Sequence, residues 1–171
     1  GVTLMTSVPV DRLAITYPVA AEDYFGKSKL STFLSWFLIN LLLIPRKRDD
    51  KNPKRDPIFI LDSYLKNGKS LIFFPEGSRG KAGKIQVFKK GLGYLMKENM
   101  NIPIVPVYLE GIGRVLPKGN KIMLPGITKI YFGNPIFLEN ESVEEIVEKA
   151  ENAVHDLKNR CDNNNSSNLR E

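Results

Sequence analysis

Apolar runs of different lengths punctuate a mixed polar chain, and length decides what each can become. Ser70, Leu71, Ile72, Phe73 and Phe74 form a short run bounded by Gly68 and Pro75, the pattern of a strand buried on both faces. Ile104 to Leu109 also lacks charge and predicts a second buried strand, ended by Glu110-Gly111. Between them Val87, Phe88, Leu92, Leu95 and Met96 recur with helical spacing, so a helix is expected from about Val87 to Asn99 despite Gly91 and Gly93. A strand, a helix and a strand in that order predict that the Ser70 and Ile104 strands lie side by side, with the helix as crossover.

Other elements extend this alternation. Gly1 to Val8 reads as a helix end closed by Pro9. Leu13, Ile15, Tyr17 and Val19 alternate as in a strand, which Pro18 would place at a sheet edge or limit in its pairing. Asp56-Pro57 has the form of an N-cap and first-turn proline, and Gly68 closes a helix that turns Ile58, Leu61, Tyr64 and Leu65 inward. Further strands are expected near Lys121 to Leu124 and Thr128 to Phe132. Ser142 and Glu145 have capping-box spacing, after which Val143, Ile146, Val147, Ala150, Val154 and Leu157 trace one helical face. The whole predicts an α/β fold with a mixed, mostly parallel sheet flanked by helices in a single domain over residues 1–160. A polar, low-complexity tail over residues 161–171 is expected to be disordered.

The longest apolar stretch, Leu30 to Ile44, needs a membrane test. It has 15 residues, including Ser31, Thr32, Ser35 and Asn40, and a spanning helix needs roughly 20. A helix remains, in either of two settings. Phe33, Trp36 and Phe37 with flanking Lys27, Lys29, Arg46, Lys47 and Arg48 suit a helix at the lipid headgroup boundary; a core helix fits the same pattern.

Charge narrows the partners. A formal net charge of +6 favours anionic ones, whether nucleic acid, lipid headgroups or phosphorylated metabolites. Arg46 to Arg55 holds six basic residues against two acidic ones but no aromatic to stack on a base, which disfavours nucleic acid. The single cysteine, Cys161, excludes an internal disulfide, and no metal-ligand cluster is present in the sequence.

Candidate chemistry gathers where the Ser70 run stops. Pro75, Gly77 and Gly80 break the strand, and between them stand Glu76, Ser78 and Arg79. Ligands of open α/β sheets sit beyond the carboxyl ends of strands. A guanidinium there matches the geometry of a phosphate; a polar turn whose charges pair with each other is the alternative. Two other motifs fail. Gly68-Lys69-Ser70 ends like a P-loop but precedes a strand instead of a helix, and Gly91-x-Gly93 lacks the third glycine of a dinucleotide fingerprint. His155-Asp156 makes no triad, because adjacent helical residues point apart.

Phe74 to Gly80, FPEGSRG, resembles the FPEG(T/S)R(S/G) block of the glycerolipid acyltransferases, the family containing lysophosphatidate (1-acylglycerol-3-phosphate) acyltransferase. Ile44-Pro45-Arg46, Phe88-Lys89-Lys90-Gly91 and Ile104-Val105-Pro106-Val107 resemble further blocks in the family's order. The resemblance implies transfer of a fatty acyl group from acyl-CoA or acyl carrier protein, as co-substrate and with no bound cofactor, to a lysophospholipid or glycerol phosphate. Its implied substrate-binding residues are Arg46, Glu76, Gly77, Ser78, Arg79, Lys89 and Pro106, on a protein peripheral to the cytoplasmic face of an anionic membrane. The family's catalytic His-x4-Asp block has no counterpart here, since His155 is the only histidine. The expectation is therefore an N-terminally truncated domain, inactive alone, whose histidine and aspartate would lie before Gly1. A non-catalytic phospholipid-binding domain at the membrane surface is the alternative.

Overall fold

The structure is a computed structural model that describes residues 4, 7–22, 40–46, 52–77, 84–111 and 128–167. It has the expected α/β class, and it divides into two compact units, Gly1–Phe74 and Pro75–Glu171.

In the first unit a short helix α1 (Val10–Leu13) leads into β1 (Thr16–Ala21), followed by β2 (Leu42–Ile44), α2 (Pro57–Lys66) and β3 (Ser70–Ile72). Pro9 caps the start of α1; the helix end expected over Gly1 to Val8 lies largely outside the described residues. The fixed φ of Pro9 suits a helix entry, and its missing N–H is not needed there. The three strands form a parallel sheet in the order β2-β1-β3. Pro18 thus lies in the central strand and not at an edge, and of the two expectations for it the limit on pairing is the one that fits. The ladder explains how. Residues 16–18 of β1 pair with β3 and residues 19–21 with β2, so Pro18 stands where the strand changes partner.

The end of the Leu30 to Ile44 stretch is likewise not helical. Residues 30–39 lie outside the described residues, but Leu42, Leu43 and Ile44 pair with Val19, Ala20 and Ala21. Asn40 adopts a left-handed φ of 50° and donates from Nδ2 to the Leu13 carbonyl at 2.9 Å, which turns the chain into β2. Pairing with β1 overrides the helix preference of the two leucines.

The start and stop signals of α2 act as expected. Asp56 Oδ1 accepts from the Ile58 N–H at 2.8 Å, and Gly68 exits with φ 70°. Leu61 and Leu65 are buried, and the Tyr64 ring meets Tyr17 of β1 edge-on at 5.0 Å. β3 departs from expectation: Ser70 is exposed, Leu71 and Ile72 are only half-buried, and Phe73-Phe74 lie beyond the strand. Among the described residues β3 has one hydrogen-bonded strand neighbour, β1.

The second unit contains α3 (Gly91–Lys97), β4 (Val107–Glu110), β5 (Lys129–Phe132) and α4 (Val143–Ser167). β4 pairs antiparallel with β5, Val107 opposite Phe132 and Glu110 opposite Lys129. The ladders among the described residues contain no parallel pair between the Ser70 and Ile104 segments. An uncharged run specifies burial and leaves the choice of neighbour to the rest of the fold. The strand expected near Lys121 to Leu124 lies outside the described residues.

One face of α4 carries the core, with Ile146, Ala150, Leu157 and Cys161 buried. Its capping box forms as the spacing predicts: the Ser142 N–H donates to Glu145 Oε2 at 2.7 Å and the Glu145 N–H to Ser142 Oγ at 3.3 Å. The helix runs through Ser167, past the expected onset of the tail. Cys161 continues the buried stripe one turn beyond Leu157, and Lys158 pairs with Asp162 at i, i+4.

Candidate functional site

Beyond β3 the chain enters a tight turn, Pro75-Glu76-Gly77, and Gly77 has φ 69°, a left-handed conformation that favours glycine. A second demand falls on the same residue. A methyl group at Gly77 would stand 3.1 Å from Lys89 Cδ and 3.3 Å from Lys89 Nζ, so the lysine side chain lies directly across the turn and brings its ammonium there.

Backbone bonds fix that approach. The Lys89 N–H donates to the Pro75 carbonyl at 2.9 Å, and the Gln86 N–H donates to Glu76 Oε2 at 2.9 Å. On the other side the Phe88 N–H donates to Glu151 Oε2 of α4 at 3.1 Å. These three bonds hold residues 86–89 out of the helix expected to start near Val87, and α3 begins only at Gly91. Phe88 is buried, while Lys89 and Lys90 project to solvent. Lys90 pairs with Glu144 at 2.7 Å; that hydrogen bond raises the lysine's pKa and lowers the glutamate's.

The structure thus brings Glu76, Gly77 and Lys89 together. Ser78 and Arg79 lie outside the described residues. Arg46, in the first unit, is exposed two residues past the carboxyl end of β2. Pro106 is buried in the second unit, where its Cγ would stand 2.8 Å from a methyl group at Gly133 and Leu157 Cδ1 at 3.4 Å; it packs the core beside α4. Sequence reasoning missed Glu151, because a glutamate in a helix rich in glutamates carries no signal of a partner 63 residues away.

Other reactive side chains are tied up structurally. Cys161 is fully buried, and burial pushes its thiol up in pKa, which is unfavourable for a nucleophile. The Tyr131 hydroxyl, raised above its ordinary pKa by hydrogen bonding with Cys161, donates to Glu110 Oε2 at 3.2 Å. His155 is half-exposed on α4, with Nε2 4.0 Å from Glu151 Oε1.

Residues 8–110 match the family model described as Acyltransferase. The chain belongs to that family. The matched acyltransferase segment includes the turn, Lys89 and Arg46, and ends before α4. The chain is 31% identical over 121 residues to the chloroplastic 1-acyl-sn-glycerol-3-phosphate acyltransferase BAT2 of Brassica napus, covering 68% of this chain and 35% of that protein. It is 30% identical over 87 residues to the 1-acyl-sn-glycerol-3-phosphate acyltransferase of Pseudomonas aeruginosa, covering 51% and 33% respectively. It spans about a third of the length of these relatives. The crystal structure of the 1-acyl-sn-glycerophosphate (LPA) acyltransferase PlsC from Thermotoga maritima shares the acyltransferase fold with a TM-score of 0.58, at 22% identity over 85% of this chain and 56% of that one.

Proposed function

We propose that this acyltransferase-family chain binds the phosphate-bearing acceptor in acyl transfer to lysophosphatidate. The observation that carries the reading is the Pro75–Gly77 turn with the Lys89 ammonium lying across it, inside the segment that matches the family. Ser78 and Arg79 follow the turn in sequence, and a guanidinium engages phosphate bidentately while lysine adds a point charge. Arg46, in a second block that resembles the family's, offers a further guanidinium suited to phosphate, and Ser78 supplies a hydroxyl donor. The names of the relatives support lysophosphatidate as acceptor.

The acyl donor in this reading is a thioester of coenzyme A or acyl carrier protein. The acceptor hydroxyl loses its proton to a general base and attacks the thioester carbonyl, and the thiolate leaves. The 171 residues contain one histidine, His155, and no His-x4-Asp block, so this chain supplies acceptor binding and lacks the base for transfer. The basic residues from Arg46 to Arg55 and the net charge of +6 support a position on an anionic membrane surface, where each cation near the surface contributes about 1 kcal/mol. Among the described residues no helix is long and apolar enough to cross a membrane.

The test combines binding to phosphatidylcholine vesicles, with and without lysophosphatidate, and transfer from labelled acyl-CoA and acyl-ACP. The expected result is binding that requires lysophosphatidate, no turnover by these 171 residues, and roughly tenfold or greater weakening in Arg79→Ala through loss of a charged hydrogen bond. Equal binding with and without Arg79 overturns its phosphate role, and turnover by this chain overturns the need for the His-x4-Asp block. Lysophosphatidate binding without turnover in any longer product of the gene favours a purely binding domain.

A further inference from the structure

We propose that Glu151 is a positioning residue for the acceptor site: from α4, outside the segment that matches the family, it sets where Lys89 lies across the Gly77 turn. The role rests on the acceptor-binding reading above.

Glu151 reaches the site through one backbone bond. Its Oε2 accepts the Phe88 N–H at 3.1 Å, and the next residue, Lys89, donates its own N–H to the Pro75 carbonyl. Residue 88 is thereby anchored to α4 and residue 89 to the turn. Between these two anchors Phe88 is buried while Lys89 is exposed, its side chain lying over Gly77. The carboxylate is itself well supported, its side chain only 23% exposed, and a backbone N–H bonded to a carboxylate is stronger than one bonded to a neutral acceptor.

The helix that carries Glu151 is held at a fixed distance. At Gly93 of α3 an added methyl group would stand 2.3 Å from the Val143 carbonyl oxygen and 3.0 Å from Val147 Cγ2, so α3 meets the α4 backbone about two turns before Glu151 and the Val147 side chain one turn before it. Lys90 and Glu144 add a second tie between the same two segments. No other described carboxylate is bonded to the Lys89 segment from outside the turn except these two on α4.

The experiment uses the full chain and two variants, Glu151→Ala and Glu151→Gln, the second keeping an acceptor oxygen. Amide hydrogen exchange at residues 86–90 without ligand reads the tether; affinity for phosphatidylcholine vesicles carrying lysophosphatidate reads the site. Expected are faster exchange in Glu151→Ala, about tenfold weaker binding, and partial recovery of both in Glu151→Gln. In the Lys89→Ala background Glu151→Ala should add little further loss, because both changes act through Lys89. Unchanged exchange at Phe88 overturns the inference and leaves the acceptor-binding reading intact. So does faster exchange with unchanged affinity, or a full additional loss in the Lys89→Ala background, which marks a general structural role. A wild-type chain indifferent to lysophosphatidate overturns the acceptor-binding reading, and the positioning role with it, while the exchange data still report the tether.

Discussion

Gly77 meets two demands at one position, a left-handed backbone and a lysine side chain within contact distance of any added atom. The first dominates, since an L-residue at φ 69° costs about 1–2 kcal/mol, whereas the neighbouring lysine atoms belong to a flexible side chain that can shift. Gly77→Ala should therefore lower unfolding free energy by about 1–2 kcal/mol in urea titrations, and it should displace Lys89, weakening lysophosphatidate binding. A stability change near zero would show that the turn tolerates another conformation. The FPEG block was legible in the sequence because glycine and proline punctuate it within a few residues. The partner of Glu76 was not. Its carboxylate bonds the Gln86 N–H ten residues on, and only the path of the chain after the turn brings that amide within reach.

Helix α3 shows how two glycines of the same motif differ. A methyl group at Gly91 meets nothing within 4 Å, whereas at Gly93 it collides with the Val143 carbonyl oxygen. Alanine gains about 0.4–1 kcal/mol over glycine through reduced chain entropy, and overpacking costs about 1–3 kcal/mol. Gly91→Ala should therefore be neutral or stabilising and Gly93→Ala destabilising by about 1–2 kcal/mol, a contrast measurable as opposite shifts in denaturation midpoint. Equal shifts would mean that α4 can move away from α3. Periodicity predicted α4 well, since its capping box and apolar stripe are local. It placed the start of α3 too early, because Val87 and Phe88 fit a helical stripe but are pinned outside the helix by Pro75 and Glu151.

Across the molecule a positive net charge coexists with an acidic start to α4, where Lys90, Lys97 and Lys149 bind its carboxylate and carbonyl oxygens. Glu141 is the most strongly shifted of these carboxylates. The hydrogen bond from Lys149, aided by the backbone N–H of Glu139, lowers its pKa from 4.5 to about 2. The unfolded chain therefore takes up this proton first as pH falls. The contribution of Glu141 is complete above about pH 4.5 and is lost towards pH 2. Glu141→Gln should flatten the fall of stability across that window in acid titrations followed by circular dichroism; an unchanged slope would show that the pair with Lys149 does not persist in solution. What the sequence established alone was whatever depends on near neighbours: the α/β class, the caps of α2 and α4, the breaker residues of the turn and the family blocks. Tertiary structure decided the rest, namely Pro18 in a central strand, β4 against β5, the late start of α3 and the bond from Phe88 to Glu151. Each depends on which distant segment satisfies a backbone N–H or covers an apolar face, and a residue's own identity and spacing do not specify that partner.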